Sequence, residues 1–284
     1  MTTDNKGSVR RALEIARAKR LAALRPGGGS AAATRRLSDP ADTGERTTPP
    51  SYVTVPFDPN ECRENRILIG DTKRKSKTSA DAAFRMLRTR ILQRARPNNW
   101  TTIGLTSPGA GEGKSVMAIN LALTISRERN NSVFLIDLDM RSPRICQYLS
   151  VVPPTSLSEY FARHAEIEDC LFSIGLDNLA LAGNRQPIEQ SSELLAGGRV
   201  ERMFEHIRAT APDPIVIVDL PPLLSTDDAL VVAPKIDACL LVVCEGKTRR
   251  DGAAKSLDLL AEYNLAGIVL TKSRATVSDY YATT

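Results

Sequence analysis

From Thr101 onward, short apolar runs alternate with helical patterns, and this alternation confines the chain to one kind of architecture, parallel strands joined by crossing helices. The runs at 101–106, 133–138, 179–182, 215–220, 238–244 and 268–271 read as strands. Helical patterns at 114–128, 193–209, 227–232 and 250–263 fill the gaps between them. The expected fold is therefore α/β, a doubly wound, mostly parallel sheet. Ligands on such sheets bind outside the carboxyl ends of the strands, so the residues just past each strand are the ones to read for chemistry.

Composition narrows the setting. With 284 residues, 42% hydrophobic and 25% charged, the chain can bury a sizeable core and has ordinary globular make-up. Its longest apolar runs, such as 238–244, fall far short of the roughly 20 residues that cross a bilayer. The first ten residues lack the apolar stretch of a secretory signal, so a cytoplasmic location is expected. Five cysteines (Cys62, Cys146, Cys170, Cys239 and Cys244) without a C-x-x-C pair read as buried, reduced thiols. His164 and His206 stand far apart without neighbours at zinc-ligand spacing.

The net charge of +5 lies wholly at the front, where residues 1–50 carry 10 Lys or Arg against 5 Asp or Glu. That segment holds no aromatic residue before Tyr52, which argues against nucleic-acid binding by a basic, stacking surface. Residues 8–24 read as a short basic amphipathic helix, able to dock on a partner or an anionic membrane surface, or simply to remain solvated. Residues 26–50, rich in Gly, Ala, Ser, Thr and Pro, read as a mobile linker. A further basic run, Lys73 to Lys77, precedes a stronger helix at 79–94. The expected organisation is a flexible N-terminal extension at 1–60, an ordered domain at 61–275 and a flexible tail at 276–284.

Three strand ends carry chemistry. Between the first strand and its helix stands Ser107-Pro108-Gly109-Ala110-Gly111-Glu112-Gly113-Lys114-Ser115, a P-loop with Pro108 in place of the usual first glycine. Backbone N–H groups of Gly109, Ala110, Gly111, Glu112, Gly113, Lys114, Ser115 and Val116 are expected to wrap the phosphates of a bound ligand. Lys114 would reach the β/γ oxygens and Ser115 would bind Mg²⁺. The second end, apolar-Asp137-Leu138-Asp139-Met140-Arg141, offers two carboxylates at a spacing that can turn both to one site. One suits proton acceptance from a hydroxyl and the other a metal-bound water, although an Asp there could also cap the next helix. The third, Ile215 to Val218 followed by Asp219-Leu220-Pro221-Pro222, has the form of a Walker B strand whose carboxylate orients Mg²⁺ through water.

Together these motifs resemble those of the bacterial tyrosine kinases (BY-kinases) of exopolysaccharide and capsule synthesis. The resemblance covers roughly residues 79–272. It extends to Ala83-Phe84-Arg85-Met86-Leu87-Arg88-Thr89 before the first strand, to Gln190-Ser191-Ser192-Glu193-Leu194-Leu195, and to the leading helix around Arg11 to Arg17. It implies a P-loop NTPase fold and an ATP- and Mg²⁺-dependent protein-tyrosine autokinase. In that reading Asp137 is the catalytic base, Lys114 and Asp139 assist catalysis, and Ser115, Asp139 and Asp219 arrange the metal. It also implies phosphoacceptors in the tail, Tyr280 and Tyr281, and a membrane-embedded polysaccharide co-polymerase as a separate partner that brings the chain to the inner face of the membrane.

Two departures stand out. Ala82 occupies the position where the family's oligomer-forming helix has Glu in Glu-x-x-Arg-x-x-Arg, with Arg85 and Arg88 intact, so self-association should be weak. The tyrosine cluster is reduced to Tyr280 and Tyr281. A partition-type ATPase and a nucleotide-gated scaffold without kinase activity remain as alternatives. The first normally carries an extra lysine where this chain has Gly109.

Overall fold

The computed structural model describes residues 52–69, 79–128, 131–176 and 178–273. All of them fall in the larger of two units into which the chain divides, Pro49–Thr284. The front helix and linker, the Lys73–Lys77 run, and Tyr280 and Tyr281 lie outside the described residues.

In chain order the strands are β1 (Val53–Thr54), β2 (Thr102–Thr106), β3 (Ser132–Asp137), β4 (Phe172–Ser173), β5 (Leu179–Ala182), β6 (Pro214–Asp219), β7 (Ala238–Cys244) and β8 (Leu265–Thr271). They form one sheet in the order β1-β4-β5-β3-β6-β2-β7-β8, parallel throughout except between β4 and β5. The six strands expected from the apolar runs are all present, each within three residues of its expected start. β6 lies between β3 and β2, with Asp137 opposite Asp219 and Leu105 opposite Asp219 in the ladders. That register brings the ends of the P-loop strand and of both acidic strands side by side.

Alternate side chains of the central strands enter two separate cores. Ile103, Leu105, Val133, Leu135, Ile215 and Ile217 face α2 (Ser79–Ala95) and α3 (Lys114–Ser126). Phe134, Ile136, Val216, Val218, Leu241 and Val243 face the opposite helices, among them α7 (Ser191–Ala196), α8 (Arg199–Thr210), α9 (Asp228–Val232) and α10 (Arg250–Leu259). This period-two division explains why the strands read as continuous apolar runs, since both faces are covered. α3 is buried on nearly every side because it lies between the sheet and α2.

Some elements differ from the sequence reading. The single helix expected at 193–209 is two, α7 and α8, separated by Gly197 and Gly198, where helix propensity is lowest. β1 and β4, two residues each, and the short helices α1 (Pro59–Glu64), α4 (Ile145–Leu149), α5 (Leu157–Phe161) and α6 (Ile167–Cys170) have too few residues to show a period. β1 lies on the N-terminal side of the expected domain boundary after residue 60, because its pairing to β4 is a long-range contact. All five cysteines are buried free thiols, as expected. Among the described residues no helix is long and apolar enough to cross a membrane.

Phe204, fully buried on α8, anchors the second core. Phe204→Ala should cost about 3–5 kcal/mol by urea denaturation, because the lost apolar burial is joined by an unfilled cavity.

Candidate active site

The P-loop is held from two sides. Its first half is zipped to the Pro221-Pro222 loop after β6: Thr106 Oγ1 donates to Pro221 O (2.7 Å), and the N–H groups of Leu223 and Leu224 donate to Ser107 O (2.8 Å) and Pro108 O (3.2 Å). Its second half rests on the end of β8, where Thr271 Oγ1 donates to Glu112 O (2.6 Å) and Lys272 Nζ to Gly111 O (3.2 Å). The left-handed positions are Gly111 (φ +69°) and Gly113 (φ +96°), where a side chain would be strained. Pro108 is tolerated in place of the first glycine because that position does not require a positive φ. Sequence reasoning missed Thr271 and Lys272, yet the strand-end rule applied to β8 would have pointed to them.

Lys114 leads α3 and is 7% exposed. Its Nζ lies 2.6 Å from Asp139 Oδ2. Burial alone would lower the ammonium pKa, but Asp219, Asp139 and Asp137 together hold it above its ordinary value. The structure thus brings Lys114, Asp137, Asp139 and Asp219 into one buried cluster.

Each carboxylate has a distinct environment. Asp137 is fully buried and receives three backbone N–H bonds, from Asp139 to Oδ1 (3.1 Å) and from Arg144 and Ile145 to Oδ2 (3.0 and 3.1 Å). Its pKa stands well above the ordinary carboxylate range, chiefly from burial and then from the charge of Asp219. The last two donors open α4, so Asp137 also serves as its cap. Asp139 is engaged by Lys114 and accepts the Ser142 N–H (3.1 Å). Asp219 differs from both: its two buried oxygens have no hydrogen-bond partner of good geometry, although the Ser115 hydroxyl stands beside it.

A buried carboxylate with both oxygens unmatched is costly unless something supplies donors or positive charge. Asp219 beside Ser115, at the start of a helix that follows a glycine-rich loop, fits a hydrated Mg²⁺ bound together with nucleotide phosphates. The ammonium of Lys114 and the loop's backbone N–H groups supply the complementary positive side.

Loop 183–191 closes over the end of β3. Asn184 Nδ2 donates to Asp137 O (3.0 Å), and Ile188 N to Met140 O (2.8 Å). Ser191 Oγ donates to the fully buried Asp228, which also accepts Arg141 Nε at 3.3 Å. Asp228 was not expected as part of the site, because nothing in its local sequence sets it apart from a helix-capping Asp.

The fold and this cluster define a P-loop NTPase fold with three carboxylates beside the glycine-rich loop. No protein-family model matches the chain. Among curated proteins it is 27% identical over 221 residues to the tyrosine-protein kinase YwqD of Bacillus subtilis, covering 77% of this chain and 91% of that one. Matches from Streptococcus agalactiae and Acinetobacter johnsonii are also named tyrosine-protein kinases. The kinase domain of the Escherichia coli tyrosine kinase ETK has the same fold (TM-score 0.63, 24% identity, 80% of this chain and 93% of that one). So does, more distantly, the cobyrinic acid a,c-diamide synthase of Mycobacterium smegmatis, solved with an ATP analog and magnesium (TM-score 0.51, 20% identity, 64% and 80%). The chain is therefore a relative of the bacterial tyrosine kinases, the family its motifs resemble.

Asp219 generates a pH prediction. Burial, opposed by Lys114 and Ser115 and reinforced by Asp139, pushes its pKa up to about 6. The unfolded carboxyl titrates near 4, so between those values the native state binds more protons and stability falls as pH rises; the penalty is complete above the window. Asp219→Asn should stabilise the protein in EDTA by about 2 kcal/mol near neutral pH, and the gain should vanish below about pH 4, as read by thermal unfolding across pH.

Proposed function

We propose that the chain is an ATP- and Mg²⁺-dependent protein-tyrosine kinase that phosphorylates the tail tyrosines Tyr280 and Tyr281 of a neighbouring copy. It would act in exopolysaccharide or capsule synthesis beside a membrane-embedded co-polymerase, through which it reaches the inner face of the membrane. The observation that carries this reading is the joint cluster of Lys114, Asp137, Asp139 and Asp219 at the adjoining ends of β3 and β6, in a chain related to tyrosine kinases.

Lys114 and the N–H groups of residues 109–116 bind and orient the phosphates, with Lys114 exchanging its Asp139 contact for the β/γ oxygens. Ser115 and Asp219, joined by Asp139 once Lys114 turns to phosphate, would hold Mg²⁺. The metal supplies charge neutralisation for a phosphoryl group in transfer. Asp137, with its raised proton affinity, takes the proton of the incoming tyrosine hydroxyl. Burial of the whole cluster excludes water as a competing acceptor.

Self-association is weak in this reading. Arg88, one of the two arginines expected at a subunit interface, already pairs with Glu128 of its own chain at 3.0 Å, and Ala82 offers no carboxylate. A nucleotide-gated scaffold is the second reading, favoured by the Arg144 and Ile145 N–H groups that engage Asp137 as a helix cap.

Lys114→Met should weaken Mg-ATP binding at least tenfold by calorimetry, since the loop's buried cation is removed. Asp137→Asn should retain nucleotide binding and lose phosphotransfer; retained transfer would reduce Asp137 to the helix cap of the scaffold reading. Transfer in trans is read by mixing a Lys114→Met chain having an intact tail with an active chain carrying Tyr280→Phe and Tyr281→Phe. Phosphotyrosine on the first chain is expected after incubation with Mg-ATP, and label confined to residues outside the tail would refute the acceptor assignment.

A further inference from the structure

The Arg141 guanidinium is the one charged group of the Asp137-to-Arg141 motif to which the mechanism above gives no task. Arg141 stands two residues beyond Asp139, at most about 7 Å further along the backbone. Its side chain is 38% exposed, while the carboxylate that holds it, Asp228, is fully buried. Only Nε is bonded, to Asp228 Oδ2 at 3.3 Å; among the described residues the terminal nitrogens have no hydrogen-bond partner. Ser191 Oγ donates to the same Asp228 oxygen, so the loop that closes over β3 is tied to the same anchor. A guanidinium fixed by one edge to a buried carboxylate keeps its other N–H groups in a set direction and loses little freedom when they meet a second anion. The other Asp228 oxygen is buried without a partner, leaving the anchor room for a second, forked bond.

We propose that Arg141, positioned by Asp228 and Ser191, is a specificity determinant that selects acceptor tyrosines preceded by an acidic residue. This deepens the kinase reading and rests on it for the word acceptor. The chain's own tail has the required chemistry at one of its two tyrosines, since Asp279 immediately precedes Tyr280. Of the two exposed arginines just past Asp139, Arg144 donates to Gln147 Oε1 and Arg141 is the one held by a buried carboxylate, so in this proposal Arg141 receives the residue preceding a tyrosine whose hydroxyl approaches Asp137. Without such a cation, the negative cluster of Asp137, Asp139 and Asp219 would repel an acidic flank, so the preference requires a positive charge at this place. Arg141 touches the flank and not the reacting atoms, and Asp228 acts through Arg141 as a positioning residue.

The test uses the full chain carrying Asp279→Asn, so that its own tail does not compete, loaded with Mg²⁺ and a non-hydrolysable ATP analogue. Labelled peptides of residues 277–284, with Asp or Asn at position 279, are titrated by fluorescence anisotropy, and their phosphorylation is followed separately with Mg-ATP. The Asp peptide should bind about tenfold more tightly than the Asn peptide, the size of one exposed charge-assisted contact. In Arg141→Gln that ratio should fall to near one, with nucleotide affinity unchanged and kcat within about twofold at saturating peptide. Arg141→Glu should instead favour a peptide with Lys at position 279. Asp228→Asn and Ser191→Ala, the second kept in case the first fails to fold, should each reduce the ratio without removing Arg141. Equal binding of the two peptides by the Arg141 chain, or an unchanged ratio in Arg141→Gln, would overturn the inference. Selective binding with no phosphorylation of either peptide would overturn the kinase reading while leaving the recognition by Arg141 in place.

Discussion

The buried contact between Lys114 and Asp139 is the interaction on which the site depends. One ammonium sits among three carboxylates that the strand register has brought together, so the cluster is short of positive charge. Paired groups of this kind add little net stability, but removing one partner leaves a buried charge unmatched, at a cost of about 3–5 kcal/mol. The fold therefore tolerates the cluster only while its geometry is kept. It is also predisposed toward a ligand that brings cations and takes Lys114 for its phosphates.

The same constraint orders the surrounding loops. The P-loop is gripped by the Pro221-Pro222 turn on one side and by Thr271 and Lys272 on the other, so its glycines meet their left-handed conformations in a rigid frame. The loop at 183–191 is pinned to Asp137 O, Met140 O and Asp228, and it connects the acidic strand end to α7 and α9. The P-loop, the acidic strand ends and this loop thus share one network, in which Asp228 is as fully buried as Asp137 and Asp219.

Outside the site, the two cores give the sheet its stiffness. Parallel strands covered on both faces hold their ends in fixed relation, which is why a separation of 82 positions between Asp137 and Asp219 becomes direct opposition in adjoining strands. Arg88 illustrates a local choice of another kind: it lies on α2 facing α3, and Glu128 just beyond α3 is near enough to take its charge within the chain.

Sequence alone determined the α/β class, six of the strands, the P-loop and both acidic strand ends, because each is written in local pattern: apolar runs of strand length, a glycine-rich turn before a helix, a carboxylate where the run stops. It did not reveal the two-residue strands, the break between α7 and α8, or the anchoring of the P-loop by Thr271 and Lys272. Those depend on partners far along the chain. Asp228 shows the limit most clearly, since a capping Asp and the anchor of Arg141 look alike until Ser191, 37 positions earlier, and Arg141, 87 positions earlier, are brought to the same oxygen. Likewise, only the tertiary structure decided that Asp137 is filled by backbone donors while Asp219 is left bare, because hydrogen-bond satisfaction is a property of packing and not of residue type.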